Sequence, residues 1–408
     1  MSAGQTAKPK TWLILVFGFL LMLFAGLIYS WSIFITPIEA ELGFLRKETA
    51  FVFTISLSVS IFGQITAGIL KKKTNALVVF SVPALLFLTG FFFASRIQSI
   101  MGLYVSYGVM VGFGIGMIYN AVLAYALDHF QEHLGVATGL LLMAFGMGGM
   151  ILGTLAAKLM EYFSWRLVFS ALGLFFSALS LAAAFLFKGS SLHTERKGQV
   201  GPEEVGPLEM VRSLPYILLF AWFVLTTSGD LIVIGHSALL AKDLGTPQQT
   251  AALIAGIISV SNGVSRIFLG KVYEIIKARK MRALLTLLSL GSAVCCLIGY
   301  TSRQLSLLAI GFVLAGVMNG GSAVLAGTYL KTRYGSLNFG VNLGITNMQI
   351  ILASFLGNGI AGQIRTSTGS YQMALVLMLG FSLAALAIVL ITTPLGSRAA
   401  FLNPEPKR

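Results

Sequence analysis

Charge is what this chain has least of. Only 10% of its 408 residues are Asp, Glu, Lys or Arg, while 56% are hydrophobic; a typical soluble domain is roughly 25% charged. That balance excludes a soluble globular fold and puts most of the chain in lipid. Acids are the scarcer sign, 14 against 28 bases, and His occurs four times. The two cysteines, Cys295 and Cys296, are adjacent inside an apolar run. Neighbours cannot bridge in ordinary disulfide geometry and match no metal spacing, so they read as small apolar filler. The chain lacks a phosphate-binding GxxxxGK[ST], an HExxH and a CxxC, the local patterns that would announce an enzyme. No catalytic residue, metal site or cofactor is expected. The polar segments are also too short to hold a soluble signalling domain.

What the chain has is long apolar runs. Crossing about 30 Å of hydrocarbon takes about 20 helical residues, and twelve runs qualify: 12–37, 50–70, 76–95, 100–126, 134–157, 165–187, 214–239, 250–273, 283–301, 304–330, 337–361 and 371–394. The expected fold is an all-α polytopic membrane protein. The first run is too long for the apolar core of a signal peptide and is expected to remain as the first helix. With both termini placed in the cytoplasm, nineteen Lys and Arg fall in inner segments, among them Lys8, Lys71, Lys72, Lys73, Lys188, Arg196, Lys197, Lys407 and Arg408. Eight fall outside, including Arg46, Arg96, Arg166 and Arg365. That is the bias the positive-inside rule demands of a multi-pass protein of the cell (inner or plasma) membrane. The +14 net charge then reads as orientation and attraction to anionic lipid, not as nucleic-acid binding.

The longest polar connection, Lys188 to Ser213, contains GSSLHTERKGQVGPEEVGP. It divides the chain into a six-helix bundle over 1–187, a cytoplasmic linker over 188–213 and a second six-helix bundle over 214–408. Two equal halves with substrate bound near the midplane is the plan of a secondary transporter. Weak internal similarity agrees: helices 2 and 8 both end in glycine and a basic turn (GILKKKTN and GKVYEIIKARK), and helices 4 and 10 are both glycine-rich. The 45 glycines gather in runs such as GVMVGFGIG and FGMGGMILG, where small faces let helix backbones approach closely.

Two charges stand inside apolar runs. Arg266, in SNGVSRIFLGKVYEIIKARKMR, cannot shed its proton and must face a cavity, a counter-charge or an anion. Asp230, in LTTSGDLIVIGHS, is a functional candidate by the same argument. The polar residues Asn120, Asn262, Asn319, Asn342, Thr346 and Asn347 also lie in apolar helices. Each is open to two readings, a substrate contact or an interhelical hydrogen bond.

These segments resemble the major facilitator superfamily, and within it the oxalate:formate antiporter and monocarboxylate (lactate and pyruvate) transporter families. The resemblance rests on IYSWSIFITPI (28–38), GFGIGMIYN (112–120), SWRLVFSALG (164–173), SNGVSRIFLGKVYEIIKAR (261–279), NGGSAVLAGTYLKTRYG (319–335) and LNFGVNLG (337–344), in order along the chain. It implies the major facilitator fold, two pseudo-symmetric six-helix halves. It implies that Arg266 binds a substrate carboxylate, a planar fork meeting a planar anion. By the same resemblance Tyr29 and Tyr119 line the substrate cavity, with Asn120, Asn262, Asn342 and Thr346 as further substrate-binding candidates. The superfamily's loop signature maps onto Gly270, Glu274 and Arg279 as a conformational latch.

Three departures carry weight. The position where several monocarboxylate carriers place a titrating acid, one turn before the arginine, is Asn262. Asp230 is therefore the proton-coupling candidate, pairing with Arg266 until substrate arrives. The loop after helix 2 lacks the signature's acid and is expected to latch more weakly. Finally, the second cation of the oxalate carrier falls on Thr346, and no Lys or Arg lies between Asn338 and Gly362. One arginine matches one carboxylate; a dianion would leave the other without a charged partner. The expected partners are a small monocarboxylate anion, a proton and membrane lipid.

Overall fold

Where the apolar runs lie, helices form. The computed structural model describes residues 9–187 and 204–398. Lys8, Lys188, Arg196, Lys197, Lys407 and Arg408, counted in the charge argument, lie outside the described residues, as does most of the expected linker. The part of the linker that is described carries a short helix, Pro207–Arg212, with proline in its first turn, where a missing N–H costs nothing.

Among the described residues, eleven helices are long and apolar enough to cross a membrane. The first seven are α1 (Trp12–Ser30), α2 (Phe51–Lys73), α3 (Ala76–Ala94), α4 (Ile100–Ala126), α5 (Leu134–Met160), α6 (Trp165–Phe187) and α7 (Leu214–Asp243). The next, Gly256–Thr301, has 46 residues. At ~1.5 Å per residue it would run ~70 Å as a straight rod, over twice the ~30 Å core. It is two helices: Lys277 sits at φ 61°, ψ 176° and breaks the run into α8 (256–276) and α9 (278–301). The last three are α10 (Leu305–Tyr334), α11 (Phe339–Thr368) and α12 (Gln372–Thr392). The twelve expected crossings are present, each within a few residues of its apolar run. Two carry single-turn π segments, Tyr104–Val111 in α4 and Phe355–Gly359 in α11.

Two compact units result. The first holds residues 9–132, 144–187 and 336–345, the second 133–143, 204–335 and 346–398. In the first, α2 packs on α4, α3 on α6, and α1 on α4 and α6. Its core is aromatic: the Trp31 and Tyr107 rings lie 4.4 Å apart and those of Phe34 and Phe169 4.8 Å apart. In the second, α7 packs on α12 and α10. Ile232, Leu240, Phe312, Tyr371 and Met378 belong to its core. Hydroxyls tie its helices where lipid offers no hydrophobic drive: Ser289 meets Ser382 at 2.9 Å and Ser292 donates to the Gly311 carbonyl at 2.8 Å.

Glycine decides how two helix starts are distributed. A Cβ on Gly270 would collide with the Gly135 carbonyl, and one on Gly139 with the Arg266 carbonyl. The start of α5 therefore lies against α8 and belongs to the second unit. A Cβ on Gly68 would likewise meet the backbone of Gly340 and Val341, which places the start of α11 on α2 in the first unit.

Candidate functional site

Arg266 lies on α8 and is 7% exposed. Its Nε donates to Asn262 Oδ1, one turn earlier, at 3.0 Å, and its Nη1 donates to the Leu142 carbonyl of α5. A guanidinium only donates, so the Asn262 oxygen must face it and the Asn262 amide nitrogen must face away. That nitrogen donates to Asn319 Oδ1 of α10 at 2.9 Å. Arg266, Asn262 and Asn319 thus form a chain of hydrogen bonds whose donors all run away from the cation. Aligned amides of this kind polarise one another.

The expected direct pair between Arg266 and Asp230 is therefore not what the structure contains. Asp230 is 0% exposed, and neither carboxyl oxygen has a hydrogen-bond partner among the described residues. Two asparagine side chains stand between the charges. The physical reason is register. Asn262 occupies the place next to Arg266 that an acid would take in the resembled carriers, and Asp230 comes in from α7 behind Asn319. Of these four residues Asn319 was the least legible in advance. The available signal was one amide in the otherwise small and apolar run GVMNGGSAV.

The aromatic candidates gather in the first unit. Tyr29 is 50% exposed and lies edge-on to Phe145 at 5.4 Å and to Phe53 at 6.4 Å. Tyr119 meets the same Phe145 at 4.9 Å. Phe145 is thus the hub that joins the two tyrosines. Close contact of α1 and α5 makes this arrangement fit: Ser30 Oγ donates to the Gly149 carbonyl at 2.6 Å, and a Cβ on Gly149 would lie 3.1 Å from Tyr29 Cβ.

The remaining asparagine and threonine candidates divide. Asn120 is fully buried and its Nδ2 donates to the Gly340 carbonyl at 2.6 Å, fastening α4 to the start of α11. Thr346 shares a 3.2 Å hydrogen bond with the Tyr216 hydroxyl of α7. Asn342 lies one turn before Thr346 on the same helix and is 0% exposed.

The latch residues take defined places. Glu274 Oε1 accepts from the Val136 N–H at 3.1 Å, in the first turn of α5, where orphan N–H groups and the helix dipole favour an anion. Gly270 supplies the close approach beneath it, and Arg279 is exposed just beyond the break at Lys277. The turn after α2, expected to latch weakly for want of an acid, is tied with the polarity reversed. Lys71, 5% exposed, bonds Asp128 at 2.9 Å and the Ala124 carbonyl at 2.6 Å, while Lys72 donates to Asn338 Oδ1 at 2.5 Å. The acid comes from the segment after α4, and the cations from α2 itself.

The WR element also has a partner that the sequence did not announce. Glu41 accepts from Trp165 Nε1 at 2.5 Å and from Arg166 Nε at 2.8 Å, while Arg166 Nη1 reaches the Ser95 carbonyl at 2.8 Å. The Arg166 hydrogen bond, ahead of the one from Trp165, holds the Glu41 carboxyl below its ordinary range.

Twelve apolar helices, with an arginine and an aspartate buried among those of the second unit, mark a polytopic membrane protein, and the comparisons with known proteins point to a transporter. The profile of the Major Facilitator Superfamily matches residues 14–301 and 218–407, and the chain belongs to that superfamily. It is 23% identical over 406 residues to the oxalate:formate antiporter of Oxalobacter formigenes, covering 97% of this chain and 96% of that one. It is 25% identical over 376 residues to monocarboxylate transporter 13 of Bos taurus, covering 90% and 85%. Among solved structures, the proton:xylose symporter XylE superposes with a TM-score of 0.73 at 12% identity, over 95% of this chain and 96% of that one. The human organic anion transporter MFSD10 superposes at 0.68 with 15% identity, over 94% and 100%. At these identities the structural likenesses speak for the fold.

Proposed function

We propose that the protein is a secondary transporter that moves a small monocarboxylate of the lactate or pyruvate type, together with a proton, by alternating access. The observation that carries this reading is Arg266, a buried guanidinium on α8 held in plane by Asn262 and the Leu142 carbonyl. Fixing the fork in advance spares a bound carboxylate much of the ordering cost. The named relatives, an oxalate:formate antiporter and monocarboxylate transporters, support a small carboxylate as the cargo. Tyr29 and Tyr119 are proposed as substrate-facing aromatics, and Asn342 and Thr346 as polar contacts. The two six-helix halves, 1–187 and 214–408, are proposed as the moving bodies, with Gly270, Glu274 and Arg279 as the latch. The cell membrane, with both termini cytoplasmic, is the proposed setting.

Asp230 is proposed as the proton-coupling residue. It is a fully buried carboxyl with neither oxygen bonded among the described residues, which leaves it open to carry the proton. A carboxylate exchanger of the oxalate:formate type is the second reading. It is favoured by the antiporter's 97% coverage of this chain and opposed by the absence of a cation from 339 to 361.

Proteoliposomes containing the purified protein separate the two. Empty vesicles should accumulate labelled lactate or pyruvate under an inward proton gradient. Accumulation that requires internal oxalate or formate and ignores the gradient would establish the exchanger instead.

A further inference from the structure

The break between α8 and α9 borders a cleft that the substrate-binding candidates do not line. Leu219 of α7, Ala278, Arg279 and Arg282 at the start of α9, and Leu325 and Tyr329 of α10 surround a space of about 10 Å³, enough for one oxygen-sized atom, that widens into an open mouth. Arg282 is 5% exposed. Its Nη2 donates to Thr392 Oγ1 of α12. Tyr329 is 6% exposed, and neither its hydroxyl nor Arg282 Nε has a hydrogen-bond partner among the described residues.

The charges around these two groups share one sign. Arg279 acts on the Arg282 guanidinium, and Arg333 and Arg282 act on the Tyr329 hydroxyl. Among the described residues, no carboxylate pairs with Arg282. A guanidinium stays protonated at any pH the protein meets, so burying one among other arginines leaves a charge and two donors unanswered among the described residues. Tyr329 and Arg282 come from different helices, and their free donors belong to the same cleft.

We propose that this cleft is an oxyanion site for a phosphate group. One phosphate oxygen reaches Arg282 Nε and the Tyr329 hydroxyl, Arg279 stands at the rim, and the remainder of the molecule stays in the mouth. Phosphate suits this donor set because its oxygens diverge tetrahedrally and accept from donors set on different sides, and arginine is the side chain that meets it most effectively. A lipid headgroup and free inorganic phosphate present the same chemistry. The site is separate from Arg266 and does not rest on the transport reading.

The test is thermal unfolding of the full-length protein in uncharged detergent, titrated with phosphatidylglycerol against uncharged diacylglycerol, and with inorganic phosphate against chloride at equal ionic strength. A saturable rise in Tm with phosphatidylglycerol alone identifies a headgroup; a rise with inorganic phosphate as well identifies a free oxyanion, and both support the site. Arg282→Gln should weaken the response by about tenfold, as loss of a charged donor requires. Tyr329→Phe removes one hydroxyl, keeps every charge and should weaken it by about threefold, so the proposal stays testable where Arg282→Gln does not fold. Arg266→Lys should leave the response intact. No rise with either probe, or a rise that Tyr329→Phe and Arg282→Gln both leave unchanged, overturns the proposal.

Discussion

Replacing Arg266 with lysine keeps the charge and removes the fork, which makes it the most informative single change in this protein. In the structure Nε holds Asn262 Oδ1 at 3.0 Å while Nη1 holds the Leu142 carbonyl, two acceptors on different helices. A lysine carries its three donors on one atom and cannot span both. At least one buried oxygen loses its donor, which destabilises the fold by about 1–3 kcal/mol. For the substrate, one charge-assisted hydrogen bond out of the planar pair is lost, about 1.5–3 kcal/mol, or roughly 10- to 150-fold in affinity. The assay is concentration-dependent uptake into proteoliposomes, paired with substrate-induced thermal shifts on the same preparation. The expected result is a KM raised by about tenfold or more with the substrate-induced shift lost. A variant with lowered basal Tm but wild-type KM and shift would show that Arg266 only fastens α8 to α5, and would refute the reasoning.

Asp230→Asn should remove the dependence of uptake on the proton gradient while leaving exchange of labelled for unlabelled substrate; unchanged gradient dependence takes Asp230 out of the mechanism. Its Tm should not fall, because the carboxyl it replaces satisfies no hydrogen bond among the described residues. Gly270→Val places carbon against the Gly135 carbonyl and should cost about 1–3 kcal/mol, read as a lower Tm; Gly380→Val, in α12 where a Cβ would meet nothing within 4 Å, is the matched control and should change little. Glu41 is held below its ordinary carboxylate range first by its Arg166 hydrogen bond. Its contribution is present at neutral pH and disappears as pH falls through the lowered value. Glu41→Gln should therefore have a slightly lower Tm than wild type at pH 7, and the gap should close in acid. A gap that persists at pH 3 would assign the effect to packing.

Asparagine and aspartate show the limit of reading this chain as a string. That Arg266 and Asp230 are both buried charges follows from their apolar neighbours alone. That Arg266 bonds Asn262, and Asn262 bonds Asn319, while Asp230 is bonded to neither, depends on where α7, α8 and α10 lie in space. That Phe145 joins Tyr29 to Tyr119 depends on α1 and α4 bringing the two tyrosines against it. The reversed tie after α2 is of the same kind: the sequence shows a missing acid, and only packing brings Asp128 to Lys71.

By itself the sequence determined the number of membrane crossings, their approximate ends and the superfamily, because each crossing is a local property of some twenty consecutive residues and lipid penalises every exception. Tertiary structure alone decided which helix start joins which unit, since Gly135 and Gly270 act as contact points only once their backbones face each other. It alone decided that the polar chain runs through amides and not through a direct ion pair. A hydrogen bond needs donor and acceptor within about 3 Å, and residues distant in sequence acquire that separation only through packing.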